Sequence, residues 1–419
     1  MQKTKRLPRE KGFDHSINLM REGYRYILNR RQSLQSDLFE TRLMGQTAVC
    51  MGGKEAVKLF YDNEKFQRQG AAPNRVRETL FGEKGVQTLD GEAHKHRKIM
   101  FMSLMSSEKL ADLANLTKKA WEHAVRNWEQ TEQVILYEEA KKMFCQVACE
   151  WTGVPLKDNE WHERTDALSS LFESPTKIGP NHWRGRHGRN VVENWIAKII
   201  TDVREEKLKP MEGTALHTFS WHRDVNEQLL SPEVAAVEVI NILRPIIAIA
   251  VYVCFIVLAL KHYPNDREKV ISDFEQYADP FIHEVRRFYP FFPYTAARVK
   301  QDFTWNGFTF KRGTLTLLDL YGTNHDPKLW ENPDLFKLDR FIEKNEHVFT
   351  LIPQGGGEYV TGHRCAGEAV TIEVMKMSLN FLVNRIEYKL PEQDLSYSLV
   401  DMPSIPKSKV ILTDIKKKR

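Results

Sequence analysis

From Ile246 to Leu260 the chain reads "IIAIAVYVCFIVLAL", fifteen apolar residues in succession. At about 1.5 Å per residue such a helix reaches roughly 22 Å, and a bilayer span needs roughly 20 residues. Arg244 and Pro245 stand directly before the run. A helix that is apolar on every side has to be enclosed on every side. The run therefore predicts a helix at the centre of a large core, with the rest of the chain supplying the shell. With 419 residues, 42% of them hydrophobic, the chain can do so. No repeat, low-complexity tract or Ser/Pro-rich linker divides the sequence, which predicts one large domain over 1–419. The short basic ends, 1–12 and 415–419, are expected to be flexible.

The charge balance narrows the class. Sixty-one basic and 56 acidic residues leave a net charge of +5, too mild a surplus for nucleic-acid binding. No apolar segment follows the early lysines and arginines as it does in a secretory signal, so a cytoplasmic location is expected. The five cysteines form an odd set with no CxxC pair and no zinc-site spacing, which argues against a disulfide framework. Cys145 and Cys149 fall in "FCQVACEW", an apolar helical stripe, and read as small hydrophobes.

Helical periodicity dominates from about Met105 to Lys261. "DREKVISDFEQYADPFIHEVRRFYP" reads as further helix ending before Pro290. Around "FTWNGFTFKRGTLTLLDLY" the pattern changes: Asn306-Gly307 between short aromatic and β-branched runs predicts a hairpin. A second β region is expected near "TRLMGQTAVCMGG". A helix begins about Gly367, and irregular or β structure follows it. The pattern as a whole is mainly α with small β-sheets.

Cys365 lies in "PQGGGEYVTGHRCAGE", among glycines and beside His363 and Arg364. A thiolate is favoured by a following helix N-terminus and by nearby cations, and this position offers both. The glycines 355, 356, 357, 362 and 367 remove side chains where something flat and bulky could approach. A nucleophilic cysteine is a rival reading, but His363 is too near in sequence to pair with Cys365 without a special turn. A buried, inert cysteine beside a tight turn is the plain alternative. Upstream, Glu284 and Arg287 in "HEVRR" share a helical face at a three-residue spacing. Arg340 closes "HDPKLWENPDLFKLDRF" just before its last residue. Arg244 inside an apolar helix needs a partner, and the residues alone leave two open: a distant carboxylate or an anionic ligand. Pro245 lacks an N–H and is expected to open the helix beside the Asn241 carbonyl.

Taken in order, Glu-x-x-Arg, the Asn-Pro-Asp segment ending in Arg-Phe, the Gly-rich loop and Cys-x-Gly resemble the cytochrome P-450 (haem-thiolate) superfamily. Within it the chain is similar to the bacterial fatty-acid peroxygenases, from "REGYRYILNR" through "FQRQ", "HRKIMFMSLM", "GTALH", "RPIIAI", "EVRRFYPF", "DLYGTNHDPKLW" and "IPQGGG" to "GHRCAGE". The resemblance implies a single-domain cytochrome P-450 fold, with haem b buried between the long central helix and the cysteine loop and helix. Cys365 becomes the axial iron ligand, with His363, Arg68, His94 and Lys98 facing the haem propionates. His94 and His96 in "HKHRK" also fit an exposed basic helix start. Gln354 stands where the usual haem loop carries an aromatic residue, and the loop beyond it is longer. Glu284, Arg287 and Arg340 form the family's structural triad.

The resemblance also implies an oxidant and a substrate. Arg244 and Pro245 replace the acid-alcohol pair of ordinary monooxygenases. Hydrogen peroxide is then the co-substrate, and no obligatory redox partner is expected. Arg244 anchors the carboxylate of a medium- or long-chain fatty acid, which itself serves as the acid-base group. Hydroxylation falls at the α or β carbon, with decarboxylation to a terminal alkene as a possible second outcome. Gln87, at a distal position where some decarboxylating relatives carry histidine, favours hydroxylation unless substrate depth decides the ratio. Phe81 and Phe291 are candidates for the apolar pocket, and each also suits a plain core role. A reductase-dependent monooxygenase, a dedicated decarboxylase and a non-catalytic haem carrier are the alternatives.

Overall fold

The computed structural model describes residues 5–177, 179–343 and 347–418. The apolar run lies where its composition sends it. Ser231 accepts the Val234 N–H and Pro232 opens the helix Pro232–Ala248, which carries Arg244; after one residue, Ile249, the chain continues as Ala250–His262. The combined Pro232–His262 run is long and apolar enough to cross a membrane, but 94% of its most apolar window is buried inside the protein. Helices Leu136–Thr152, Trp161–Glu173 and Pro180–Arg204 pack against its first half, and Phe274–Phe288 and Glu368–Asn380 against its second. Pro245 does not open the helix where its missing N–H suggested. The helix passes through it, and the interruption falls one turn later, where the Ile249 N–H reaches only to the Ile246 carbonyl at 3.2 Å. Packing on all sides holds the backbone helical across the lost bond.

The segment expected as one helix before Pro290 is two. Asp273, in an extended conformation (φ −148°), accepts the Gln276 N–H at 3.0 Å and starts Phe274–Phe288 afresh after Pro264–Ser272. The β regions form a five-stranded sheet in the order Leu38–Leu43, Gln46–Met51, Leu315–Asp319, Tyr294–Val299, Phe66–Gln67. Only the Gln46–Met51 and Leu315–Asp319 pair is parallel. The Asn306-Gly307 hairpin is present, with φ of 49° and 83° at its two turn residues as a type I′ turn needs.

The chain ends differ from expectation. Lys5 bonds to Gly307, Glu10 to Glu40, and Ile415–Lys417 belongs to a strand, Ile411–Lys417, set between Gln133–Ile135 and Ile386–Lys389. Backbone pairing ties down these basic stretches; residues 1–4 and 419 lie outside the described residues.

Candidate active site

Cys365 sits at the end of a loop that builds its own frame. The Glu358 carboxylate accepts the N–H groups of Val360, Thr361 and Gly362 and the Thr361 hydroxyl, so the added length of this loop is a turn closed on one side chain. The Tyr359 hydroxyl donates to the Ala366 carbonyl at 2.7 Å, and the Cys365 N–H to the Gln354 carbonyl at 3.2 Å. Two of the loop glycines serve this frame. Gly355 and Gly357 have φ of 92° and 82°, and a Cβ on Gly355 would lie 2.6 Å from the Tyr61 hydroxyl. The Gln354 side chain is engaged as well: it donates to Thr371 at 2.9 Å and accepts from Arg286 at 3.0 Å. Arg286 also pairs with Glu368, the first residue of the helix Glu368–Asn380, and Glu368 holds Arg364 at 2.6 Å.

Burial pushes the Cys365 thiol up, and the nearby Lys98 ammonium and the Gly367 N–H only partly oppose it. The helix terminus and cations seen in the sequence are thus outweighed by desolvation. Among the described residues no group of three or more His, Cys, Asp or Glu could hold a metal ion. A metal at Cys365 would have to bring its other ligands with it.

The buried cations point the same way. Nine arginines and lysines are buried among the described residues, and six of them lie within 4 Å of a carboxylate oxygen. The exceptions are Arg68, Lys98 and Arg244. Arg68 lies over the Phe60 ring at 4.3 Å, and Lys98 donates to the Arg364 carbonyl. Around them, His94 and His363 stack with centroids 3.8 Å apart, and His363 Nε2 lies 3.5 Å from Asp90. Asp90 also accepts the N–H groups of Arg68 and Gln69. Burial, then His363 and Lys98, lowers the His94 pKa to about 3, which makes it a neutral donor. His94 is buried and His96 exposed, so one helix, Gly91–Met102, accommodates both readings of "HKHRK".

Arg244 is 6% exposed. Its Nη2 lies 3.4 Å from Asn241 Oδ1, and its Nε has no acceptor among the described residues. Burial and the neighbouring Arg189 charge depress its pKa, which is the mark of a cation lacking an anion. Gln87 is beside it, accepting from Asn241 Nδ2 at 3.2 Å. A Cβ on Gly85 would lie 3.0 Å from Asn241 Nδ2 and from the Phe81 carbonyl, so the Phe81–Gln87 turn closes over this cluster. Phe81 is partly buried against the main core, and Phe291 stacks on Tyr252 at 4.4 Å. Two surface hollows, beside Arg267 and Lys418 and beside Asp266 and Asp339, include none of these residues.

Glu284 and Arg287 are no surface pair. Both side chains are fully buried, joined by two bonds of 2.7 and 2.8 Å, and Arg287 also donates to the carbonyls of Asn324, Pro333 and Leu335. Arg340 reaches Glu284 at 3.4 Å and the Asn332 carbonyl at 2.8 Å. The pair fastens the Phe274–Phe288 helix to the 324–340 segment.

Comparison with known proteins gives this arrangement a family. The Cytochrome P-450 family model matches residues 265–412. The cytochrome P-450 120 of Synechocystis is 24% identical over 89% of this chain and 88% of its own. Among solved structures, cytochrome P-450EX alpha with myristic acid is 51% identical, with a TM-score of 0.96 over 99% of this chain and all of that one. The chain is a cytochrome P-450 of the CYP152 family. A variant of P-450SP alpha (40% identity, TM-score 0.95, covering 97% and 100%) and cytochrome P-450 OleT with arachidonic acid (33%, 0.96, 99% of each) superpose as well.

The residues of this cytochrome P-450 fit haem. The half-buried Cys365 thiol would supply one ligand to an iron otherwise held by the macrocycle, and Arg68 and Lys98 are buried cations that two propionates would complete. Sequence reasoning missed Glu358, which builds the cysteine loop, and Glu238 and Asn241, which stand behind Arg244. The signal for the last two was present: polar residues at 238, 241 and 244 in a helix that is apolar otherwise beyond Glu233 in its first turn.

Proposed function

We propose that this enzyme uses hydrogen peroxide to hydroxylate medium- and long-chain fatty acids at the α or β carbon. One observation carries the reading: Arg244 is a buried arginine with no carboxylate partner among the described residues, in the cluster that includes Gln87. Its guanidinium can hold a carboxylate with two charge-assisted bonds. The helix offers no side-chain acid at this point, so the held carboxylate takes that part, accepting and returning the proton as peroxide is cleaved. Cys365 would hold the haem, with Arg68, Lys98, His94 and His363 available to its propionates, and the haem would supply peroxide activation, favoured by electron donation from the thiolate. With the acid head fixed at Arg244, the α and β carbons would be the ones presented for oxidation. Gln87 has no titratable proton to add, which supports hydroxylation over decarboxylation to the terminal alkene. No reductase is needed, and a cytoplasmic location belongs to the same reading.

The test is product analysis by mass spectrometry after incubation with peroxide and myristic or palmitic acid, with no electron donor. Hydroxy acids are expected from the parent, and Arg244→Ala should bind the acid at least on the order of 100-fold more weakly. Equal turnover by that variant would overturn the anchor.

A further inference from the structure

Glu238, Asn241 and Arg244 stand at three-residue intervals along one face of the Pro232–Ala248 helix, and all three are buried. The bonds among them have one direction. Asn241 Nδ2 donates to Glu238 Oε2 at 3.2 Å and to Gln87 Oε1 at 3.2 Å, and Asn241 Oδ1 accepts from Arg244 Nη2 at 3.4 Å. Glu238 is 0% exposed, and its other oxygen receives Arg97 Nη1 at 2.7 Å.

We propose that Glu238 is a positioning residue: acting through the Asn241 amide, it aims the Arg244 guanidinium at the substrate carboxylate, while Arg97 keeps Glu238 from neutralising Arg244 itself. The proposal rests on the fatty-acid reading above. An amide between a carboxylate and a guanidinium has one favourable orientation. Reversed, Oδ1 would face the Glu238 carboxylate and Nδ2 the Arg244 cation, and both contacts would repel in a dry environment. Gln87 cannot decide this orientation, because its own amide can turn. Glu238 can, since an ionised carboxylate only accepts. Burial raises the Glu238 carboxyl above its ordinary value; the Arg97 ion pair at 2.7 Å and the Asn241 amide oppose that rise. At 3.4 Å the Asn241 contact is long, so it orients Arg244 without satisfying its charge. Arg97 shares the Gly91–Met102 helix with His94 and Lys98, so the same ion pair ties the helix beside Cys365 to the one bearing Arg244.

The experiment is calorimetric titration of the haem-loaded protein with myristic acid and with its methyl ester, whose head carries no charge. Glu238→Gln and Asn241→Leu are each expected to weaken the acid about tenfold and leave the ester unchanged. Because Glu238 acts through Asn241, the double variant should bind the acid no more weakly than Asn241→Leu alone. Full acid affinity in Glu238→Gln, equal losses for acid and ester, or multiplying losses in the double variant would each overturn the proposal. If Glu238→Gln does not fold, Asn241→Leu decides by the same acid-to-ester comparison. A parent that binds acid and ester alike, with Arg244→Ala no different, would instead overturn the fatty-acid reading.

Discussion

His94 and His363 lie ring on ring, 3.8 Å apart and 28° from parallel, and so join the Gly91–Met102 helix to the loop bearing Cys365. Asp90 completes the joint by accepting from His363, Arg68 and Gln69. Asp90→Ala removes one acceptor from three donors. It is expected to cost about 2 kcal/mol in stability, and to speed haem transfer to a scavenging apoprotein about tenfold. Thermal melting and the transfer rate measure the two effects; unchanged values would mean that the stack alone holds the loop.

Arg287 serves five acceptors with one guanidinium. Arg287→Ala leaves the fully buried Glu284 carboxyl with Arg340, at 3.4 Å, as its one cation among the described residues. A loss of about 3–5 kcal/mol is expected. Arg287→Lys should rescue little of it, because an ammonium cannot reach two carboxylate oxygens and three carbonyls together. Soluble yield and melting temperature are the readouts.

What could be read from the sequence was set by range. The apolar run, the Asn306-Gly307 hairpin and the Cys365 loop announce themselves locally, through period, turn chemistry and composition. Contacts far apart in sequence do not: nothing at Arg97 indicates that Glu238, 141 positions away, will take its charge. Local rules also mislead where packing overrides them. Pro245 should open a helix, and the surrounding core keeps it closed until Ile249. Positive φ and contact with Tyr61 give Gly355 and Gly357 a structural reason that the sequence did not show. Tyr61 is nearly 300 residues from either.

Gln87 bonds to Asn241, whose carbonyl oxygen in turn faces Arg244. A histidine there could still accept from Asn241 through one ring nitrogen and would add a group that titrates near neutral pH. Gln87→His is expected to raise the alkene fraction of the products several-fold with little change in acid affinity. Gas chromatography of the products is the check. An unchanged ratio would assign the outcome to substrate depth.

Glu368 gives a pH dependence that can be read by difference. Burial alone would raise its carboxyl, but the Arg286 and Arg364 guanidinium groups outweigh that and hold it at about 2, below its ordinary 4.5. A group depressed on folding stabilises the native state above its unfolded pKa and loses that contribution as pH falls toward the folded one. The contribution is on the order of 3 kcal/mol, complete above about pH 5 and gone near pH 2. Glu368→Gln has nearly the shape of protonated glutamic acid. The variant should therefore melt well below the parent at pH 7, the gap should narrow as pH drops through 4, and the two curves should meet near pH 2. Because only the difference between the two proteins is read, the other carboxylates that titrate over this range cancel. A gap that stays constant with pH would mean that Glu368 acts through its shape and hydrogen bonds alone, without its charge.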